Sequence, residues 1–413
     1  MNDSNQRPIL VLGAGIAGIT TALEAAEAGA EVILVEREQA VGGRVLRIHN
    51  YFPKLCPPTC GTEINVRRLE KNPRIRLLTG AQVTAAERQP DGWSVTVTQS
   101  AQYVKDSCTL CGECSKVCPA KVPDPNNLGM VEVPAIRLPH SDAFPRRYAI
   151  DRGACPDGCK ACVDACKYDA IDLAAEGTVE TFAVKSMVVA TGWTPYPLDK
   201  LHHLGGGVFD DVIANVALER LAAPAGPTGG KILRPSDGQA PKRVAFVQCA
   251  GSRDVNHLPY CSGVCCLASL KQSLYVREQL PDAEITMYYI DRRAPGRNEA
   301  MLVKAEEAGV TLVKGKVGRV KAGPDGSLLL RFEDQDKAQL VEAEADLVVL
   351  ATGMVPNGID FDGITLDDDG FAVDDHGAKV FVAGVARRPE DVAASVRDAT
   401  GAAAKSLFGG RIS

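Results

Sequence analysis

The chain has 413 residues, of which 45% are hydrophobic and 24% charged, and its net charge is -6. That balance excludes a disordered or collagen-like chain, and the acidic charge offers no global field for nucleic acid. The length suits about two to three domains. No run of about 18 apolar residues occurs, so no membrane-spanning helix is expected. The polar start, MNDSNQRP, carries no secretory signal, so a cytoplasmic protein is expected. In that compartment the 14 cysteines are better read as metal ligands or redox thiols than as disulfides.

The first element is a strand, Ile9-Leu10-Val11-Leu12. It runs into Gly13-Ala14-Gly15-Ile16-Ala17-Gly18, and a helical stretch follows from Ile19 to Ala28. A second apolar strand ends at Glu36. This β-α-β order gives the glycine spacing a physical meaning. Gly13 permits a tight turn, Gly15 lets backbone approach a pyrophosphate, and Gly18 lets helix pack on strand. Glu36 stands where a carboxylate can accept hydrogen bonds from ribose hydroxyls. The set predicts a dinucleotide site without separating FAD from NAD.

A strand pair is expected at Ile75 to Leu78 and Trp93 to Thr98. Over residues 101–172 apolar periodicity weakens and eight cysteines appear. The stretch reads as an insertion held by metal rather than by a core. Cys108-x2-Cys111-x2-Cys114-x3-Cys118-Pro119 has the spacing of bacterial ferredoxins. Cys155-x3-Cys159-x2-Cys162-x3-Cys166 repeats it with one extra residue in the first gap. Three cysteines of each run would hold one [4Fe–4S] cube, and the fourth would reach the other. The expected sets are Cys108, Cys111, Cys114 and Cys166, and Cys155, Cys159, Cys162 and Cys118. Structural zinc is the alternative, although it usually pairs two short knuckles.

The α/β texture returns with Ser186 to Gly192, which ends in Ala190-Thr191-Gly192. Residues 222–242 read as a loop. A second unit begins at Arg243-Val244-Ala245-Phe246-Val247, continues through a helix near 264–280, and meets another Ala-Thr-Gly ending at 351–353. Its first strand leads into Gln248-Cys249-Ala250-Gly251, without the glycine pattern of a nicotinamide site. A last helix is expected over about 389–407.

Val41-Gly42-Gly43-Arg44, the two Ala-Thr-Gly endings and Val380-Phe381-Val382-Ala383-Gly384 complete a set. With it the chain resembles flavoproteins of the thioredoxin-reductase and glutathione-reductase type. The resemblance implies an α/β fold of two dinucleotide-binding domains, with the ferredoxin-like segment inserted. FAD would sit in the first domain against Gly13, Gly15, Gly18, Glu36, Gly43, Arg44, Thr191, Gly192 and Gly384. Val83 would touch the adenine through its backbone. The expected division is a FAD domain over 1–100, 173–240 and 341–413, the insertion over 101–172, and a second domain over 241–340.

Four further cysteines, Cys249, Cys261, Cys265 and Cys266, crowd the second unit. They read either as ligands of a third cluster or as buried free thiols. Phe246 to Arg253 together with Tyr260 to Cys266 resembles the A subunit of heterodisulfide reductase. The compact chain also resembles the A subunit of the quinone-interacting membrane-bound oxidoreductase of sulfate reducers. These resemblances imply an electron-transfer subunit of a larger complex. Its partners would be adenylylsulfate reductase, a second flavin/iron–sulfur subunit, and a quinone-reactive subunit in the membrane. The chain would sit peripherally on the inner membrane face. Cys56 and Cys60 have three open readings: a flavin-facing redox pair, cluster ligands or inert thiols. The first of these would make the chain a stand-alone NAD(P)H-dependent disulfide reductase.

Overall fold

The computed structural model describes residues 7–408. The polar start at residues 1–6, read above as lacking a signal, lies outside them. In chain order the fold opens with β1 (Ile9–Leu12), α1 (Ile16–Glu27), β2 (Val32–Glu36), α2 (Thr59–Lys71), β3 (Ile75–Thr79), β4 (Ala81–Gln89) and β5 (Gly92–Gln99). The insertion holds α3 (Glu113–Lys116), β6 (Lys121–Pro123), β7 (Glu132–Pro134), β8 (Ile136–Arg137), β9 (Ala149–Ile150) and α4 (Ala161–Asp164). Then come β10 (Thr178–Val184), β11 (Ser186–Val189), β12 (Trp193–Pro195), β13 (Val212–Ala214), α5 (Asn215–Ala222) and β14 (Arg243–Ala250). After these follow α6 (Cys265–Gln279), β15 (Glu284–Tyr289), α7 (Glu299–Glu307), β16 (Thr311–Lys314), β17 (Val317–Ala322), β18 (Leu328–Asp334) and β19 (Gln339–Ala345). The chain closes with β20 (Leu347–Thr352), β21 (Met354–Pro356), β22 (Val380–Val382) and α8 (Val392–Phe408).

Two parallel sheets organise the molecule. The first has the order β22-β11-β1-β2-β3 and the second β13-β20-β14-β15-β16. Their central strands are buried on both faces, which explains near-continuous apolar runs such as Ile9–Leu12 and Leu347–Thr352. Helices α1 and α8 cover one face of the first sheet through Ile19, Leu23, Ala399 and Ala402. The other face packs on the small antiparallel sheet β10-β5-β4 through Trp93, Val95 and Val97.

The insertion leaves the first domain between two antiparallel neighbours. Gln99 of β5 pairs with Thr178 of β10, so the chain exits and re-enters at adjacent points. A segment inserted this way can fold separately without disturbing its host. Its own apolar core is small: Val104, Ile136 and Ile171 pack with Cys114 and Cys162. Cross-linking by metal is the physical remedy for so thin a core.

The boundaries expected from sequence need one correction. Strand β13, helix α5 and strand β20 belong to the second domain, because Val212 pairs with Val348 and Val244 with Leu347. The ranges 173–240 and 341–413 therefore do not fall wholly in the first domain. The cause is local: β13 has only three residues, too few for a readable period, and β20 ends in the same Ala-Thr-Gly as the first-sheet strand. Two antiparallel strands, β12 and β21, then join the domains through Trp193 and Pro356.

Candidate functional site

A cleft of about 320 Å³ runs along the carboxyl ends of the first sheet and on to α5 and α6 of the second domain. Ligands bind at such strand ends in parallel sheets, and the volume suits a cofactor. Gly13, Gly15, Glu36, Gly43, Arg44, Val83, Thr191 and Gly192 all line it.

The glycines act in different ways. A side chain on Gly13 would meet the Ala190 carbonyl oxygen at 2.5 Å, and one on Gly18 the Gly13 carbonyl oxygen at 1.7 Å. Gly18 therefore packs helix on strand beneath the cleft. Above Gly15 the nearest atom is the Gly43 Cα at 3.9 Å, so that space is open. Helix α1 starts at Gly15 with no side-chain cap and no acid in its first turn. Its free N–H groups and positive dipole end are left for an anion. Gly384 (φ 65°) donates its N–H to Asp398 Oδ2 at 2.8 Å, while its neighbours Ala383 and Val385 line the cleft.

Glu36 is 8% exposed and accepts N–H bonds from Ala14 (2.6 Å) and Glu38 (2.9 Å). Burial raises its pKa, partly opposed by those two bonds. Arg44 donates to Trp193 O at 3.3 Å and Thr194 Oγ1 at 3.2 Å, and its guanidinium lies 5.4 Å from the Trp193 ring centre. Burial pulls its pKa down to about 10, so it stays cationic at neutral pH. Thr191 Oγ1 is buried without a partner. Open space over Gly15, an uncapped helix start, a buried carboxylate at the end of β2 and an orphan hydroxyl together fit FAD.

The eight cysteines of the insertion fall into two pockets. One is lined by Cys108, Cys111, Cys114 and Cys166. The other is lined by Cys118, Cys155, Cys159 and Cys162. Each pocket thus draws three cysteines from one run and the fourth from the other. Burial pushes the Cys114 thiol up to about 11 and raises Cys162 as well. Such thiols ionise only when a cation supplies the missing charge. Among the described residues no three His, Cys, Asp or Glu side chains converge tightly enough for a single metal ion.

Cys249, Cys261, Cys265 and Cys266 lie near enough for their charges to act on one another. Cys249, next to last in β14, has φ 57° and sits in the bulge where that strand loses register with β20. Cys265 and Cys266 open α6, and Cys265 donates to Thr352 O at 3.7 Å. Burial raises the pKa of Cys249, Cys265 and Cys266, and the neighbouring cysteines add to each shift. Val264, between Cys261 and Cys265, lines the cleft. Cys56 and Cys60 lie elsewhere. They flank Tyr51, one half-buried and one exposed, while Phe52 is the nearby residue that reaches the cleft.

One feature of the cleft wall was not anticipated from sequence. Lys271 Nζ lies 2.8 Å from Glu219 Oε1, with both side chains 3% exposed. Gln272 Nε2 donates to the same carboxylate at 2.7 Å and to Asn215 O at 2.9 Å. The only sequence signal was a charged pair, Glu219-Arg220, set among Val216, Ala217, Leu218, Leu221 and Ala222 of α5.

Comparison with known proteins agrees with this geometry. The family model described as FAD dependent oxidoreductase matches residues 8–47, and the 4Fe-4S dicluster domain matches residues 107–171. Among solved structures, the thioredoxin reductase of T. acidophilum superposes with a TM-score of 0.54 at 14% identity, covering 98% of this chain and 99% of that one. The Lactococcus lactis enzyme gives 0.52 at 14%, covering 98% of each chain. The fold is thus that of thioredoxin-reductase-like flavoproteins, and the two family models support FAD and iron–sulfur clusters.

Curated relatives narrow the family. The A subunit of the ferredoxin/F420H2-dependent CoB-CoM heterodisulfide reductase of Methanosarcina acetivorans is 38% identical over 86% of this chain and 45% of its own length. An iron-sulfur A subunit of the CoB–CoM heterodisulfide reductase of Methanopyrus kandleri is 36% identical over 96% of this chain and 63% of its own. The A subunit of the H2:CoB-CoM heterodisulfide,ferredoxin reductase of Methanothermobacter thermautotrophicus is 34% identical over 97% and 63%. Over these spans the chain is a homologue of the heterodisulfide reductase A subunit. It covers about half to just under two thirds of those relatives' lengths.

Proposed function

We propose that the chain is the electron-transfer subunit of a heterodisulfide-reductase-like complex, with FAD, two [4Fe–4S] clusters in the insertion and a third on Cys249, Cys261, Cys265 and Cys266. The observation that carries the reading is the position of Val264. It lines the flavin cleft and is flanked in the chain by Cys261 and Cys265, so a two-electron site and a sulfur-rich site share one wall. Bound FAD supplies two-electron chemistry and the clusters one-electron steps. The chain's own residues position and insulate these groups. Gly15 and the start of α1 hold the pyrophosphate, Glu36 the ribose, and Arg44 keeps a positive charge at the cleft. Glu219 and Lys271 brace the wall opposite.

Donor and acceptor are proposed to be partner subunits. The first strand of the second domain ends in Gln248-Cys249 rather than nicotinamide-binding glycines, which supports that reading. The further assignment rests on the resemblance of the motif set. It puts electron exchange between a membrane quinone pool and adenylylsulfate reductase, with the chain docked peripherally through a quinone-reactive subunit. Among the described residues no helix is long and apolar enough to cross a membrane.

Anaerobic addition of NAD(P)H to the isolated holoprotein tests the proposal. The flavin absorbance should persist until a partner or a low-potential donor is added. Rapid bleaching by NAD(P)H alone would favour instead a stand-alone disulfide reductase using Cys56 and Cys60.

A further inference from the structure

Gln248 is 5% exposed, and neither its Oε1 nor its Nε2 has a hydrogen-bond partner. Folded proteins seldom bury an amide in that state, so a missing partner is the first explanation to consider. Its position indicates where that partner lies. Val244 and Phe246 of β14 pack into the core shared with α5 and α6. Gln248 follows them on the same strand, immediately before Cys249 and at the point where β14 loses register with β20.

A second orphan lies on α6, whose Leu267 and Leu270 pack in the same core. Ser269 on α6 is fully buried, and its Oγ has no partner. It follows Cys265 by four residues, one helical turn, on the same face. Side chains on a helix lean toward its N-terminus, so the hydroxyl leans over the turn that bears Cys265. Two unpaired donors therefore flank two of the four cysteines, one beside Cys249 and one behind Cys265.

We infer that the Gln248 amide and the Ser269 hydroxyl are hydrogen-bond donors to the sulfurs of the group bound by Cys249, Cys261, Cys265 and Cys266. The inference rests on the third-cluster reading and deepens it. Donors to cluster sulfur stabilise the more negative, reduced state and so raise the reduction potential. Through those bonds the two residues set how readily this cluster takes an electron.

The test is a redox titration followed by electron paramagnetic resonance, on anaerobically purified holoprotein, comparing wild type with Gln248→Leu and Ser269→Ala. In Gln248→Leu one cluster signal should become about tenfold harder to reduce, a shift of about 59 mV for one electron, while the insertion clusters keep their potentials. Ser269→Ala removes one atom and should move the same signal in the same direction. If Gln248→Leu loses the third cluster, Ser269→Ala decides alone. Unchanged potentials at full iron content overturn the inference and leave the third cluster standing. A wild-type protein with clusters only in the insertion overturns both, and the iron content distinguishes the two failures.

Discussion

Lys271 of the second domain forms its buried ion pair with Glu219 while its Nζ also donates to the Asn50 carbonyl of the first domain, at 2.5 Å. Glu219 Oε2 in turn accepts the His49 N–H at 2.9 Å, and Tyr275 donates to Asn50 O at 3.1 Å. One charge pair therefore satisfies backbone groups of the segment that walls the cleft. It fixes the two domains against each other beside the cleft.

Breaking such a pair leaves an uncompensated buried charge. Lys271→Met should cost about 3–5 kcal/mol in denaturant unfolding of the holoprotein. The double variant Lys271→Met with Glu219→Leu should recover part of that loss, because no lone charge remains. A single-variant cost below about 1 kcal/mol would show that the pair is solvated in solution.

The glycine motif yields two variants with opposite signatures. Gly15→Ala meets no protein atom closer than 3.9 Å and has an ordinary φ of -75°, so the fold should be unaffected. It should weaken FAD binding about a hundredfold by filling the phosphate's space, as read by flavin release in dialysis. Gly18→Ala drives a methyl group into the Gly13 carbonyl and should cost about 1–3 kcal/mol in stability. Equal effects in the two would refute the distinction.

Much of this was legible in the sequence because it is local. Gly13, Gly15 and Gly18 occupy one turn, and Glu36 ends the next strand. The crossed cysteine sets could be read because two similar runs imply pseudo-symmetry. Lys271 and Glu219 could not be read, since they sit on two helices, 52 residues apart in the chain, that meet a loop of the other domain. Strand β4 was missed because it alternates buried and exposed positions with small or polar residues, as in Ala81-Gln82-Val83-Thr84. Gln248 looked like an interruption of a glycine motif, and only its burial shows that its polar ends lack partners.

The crossed cages predict a pattern of non-additivity. Cys166→Ser should lose about four irons, and adding Cys111→Ser should lose no more, since both line one pocket. Adding Cys159→Ser instead should lose about eight, because it lines the other. Iron analysis of the two double variants decides. If the pairs behave the other way round, each run holds its own cluster.

Glu36 links cofactor binding to pH. Burial raises its pKa above 4.5 in the absence of cofactor, and only the carboxylate can accept two ribose hydroxyls. Full FAD affinity is therefore present above that raised pKa and falls as acidification protonates the group. Glu36→Gln should bind more weakly at neutral pH and lack this acid step. An identical pH profile in wild type and variant would remove Glu36 from the ribose site.

A flavin and three iron–sulfur clusters on one electron path would stand in a fixed ratio in this chain. Iron and acid-labile sulfide per FAD, in protein purified without oxygen, measure that ratio. About twelve irons and as many sulfides per flavin are expected. About eight would confine the clusters to the insertion and contradict the third. Zinc in place of iron would contradict the electron-transfer reading altogether.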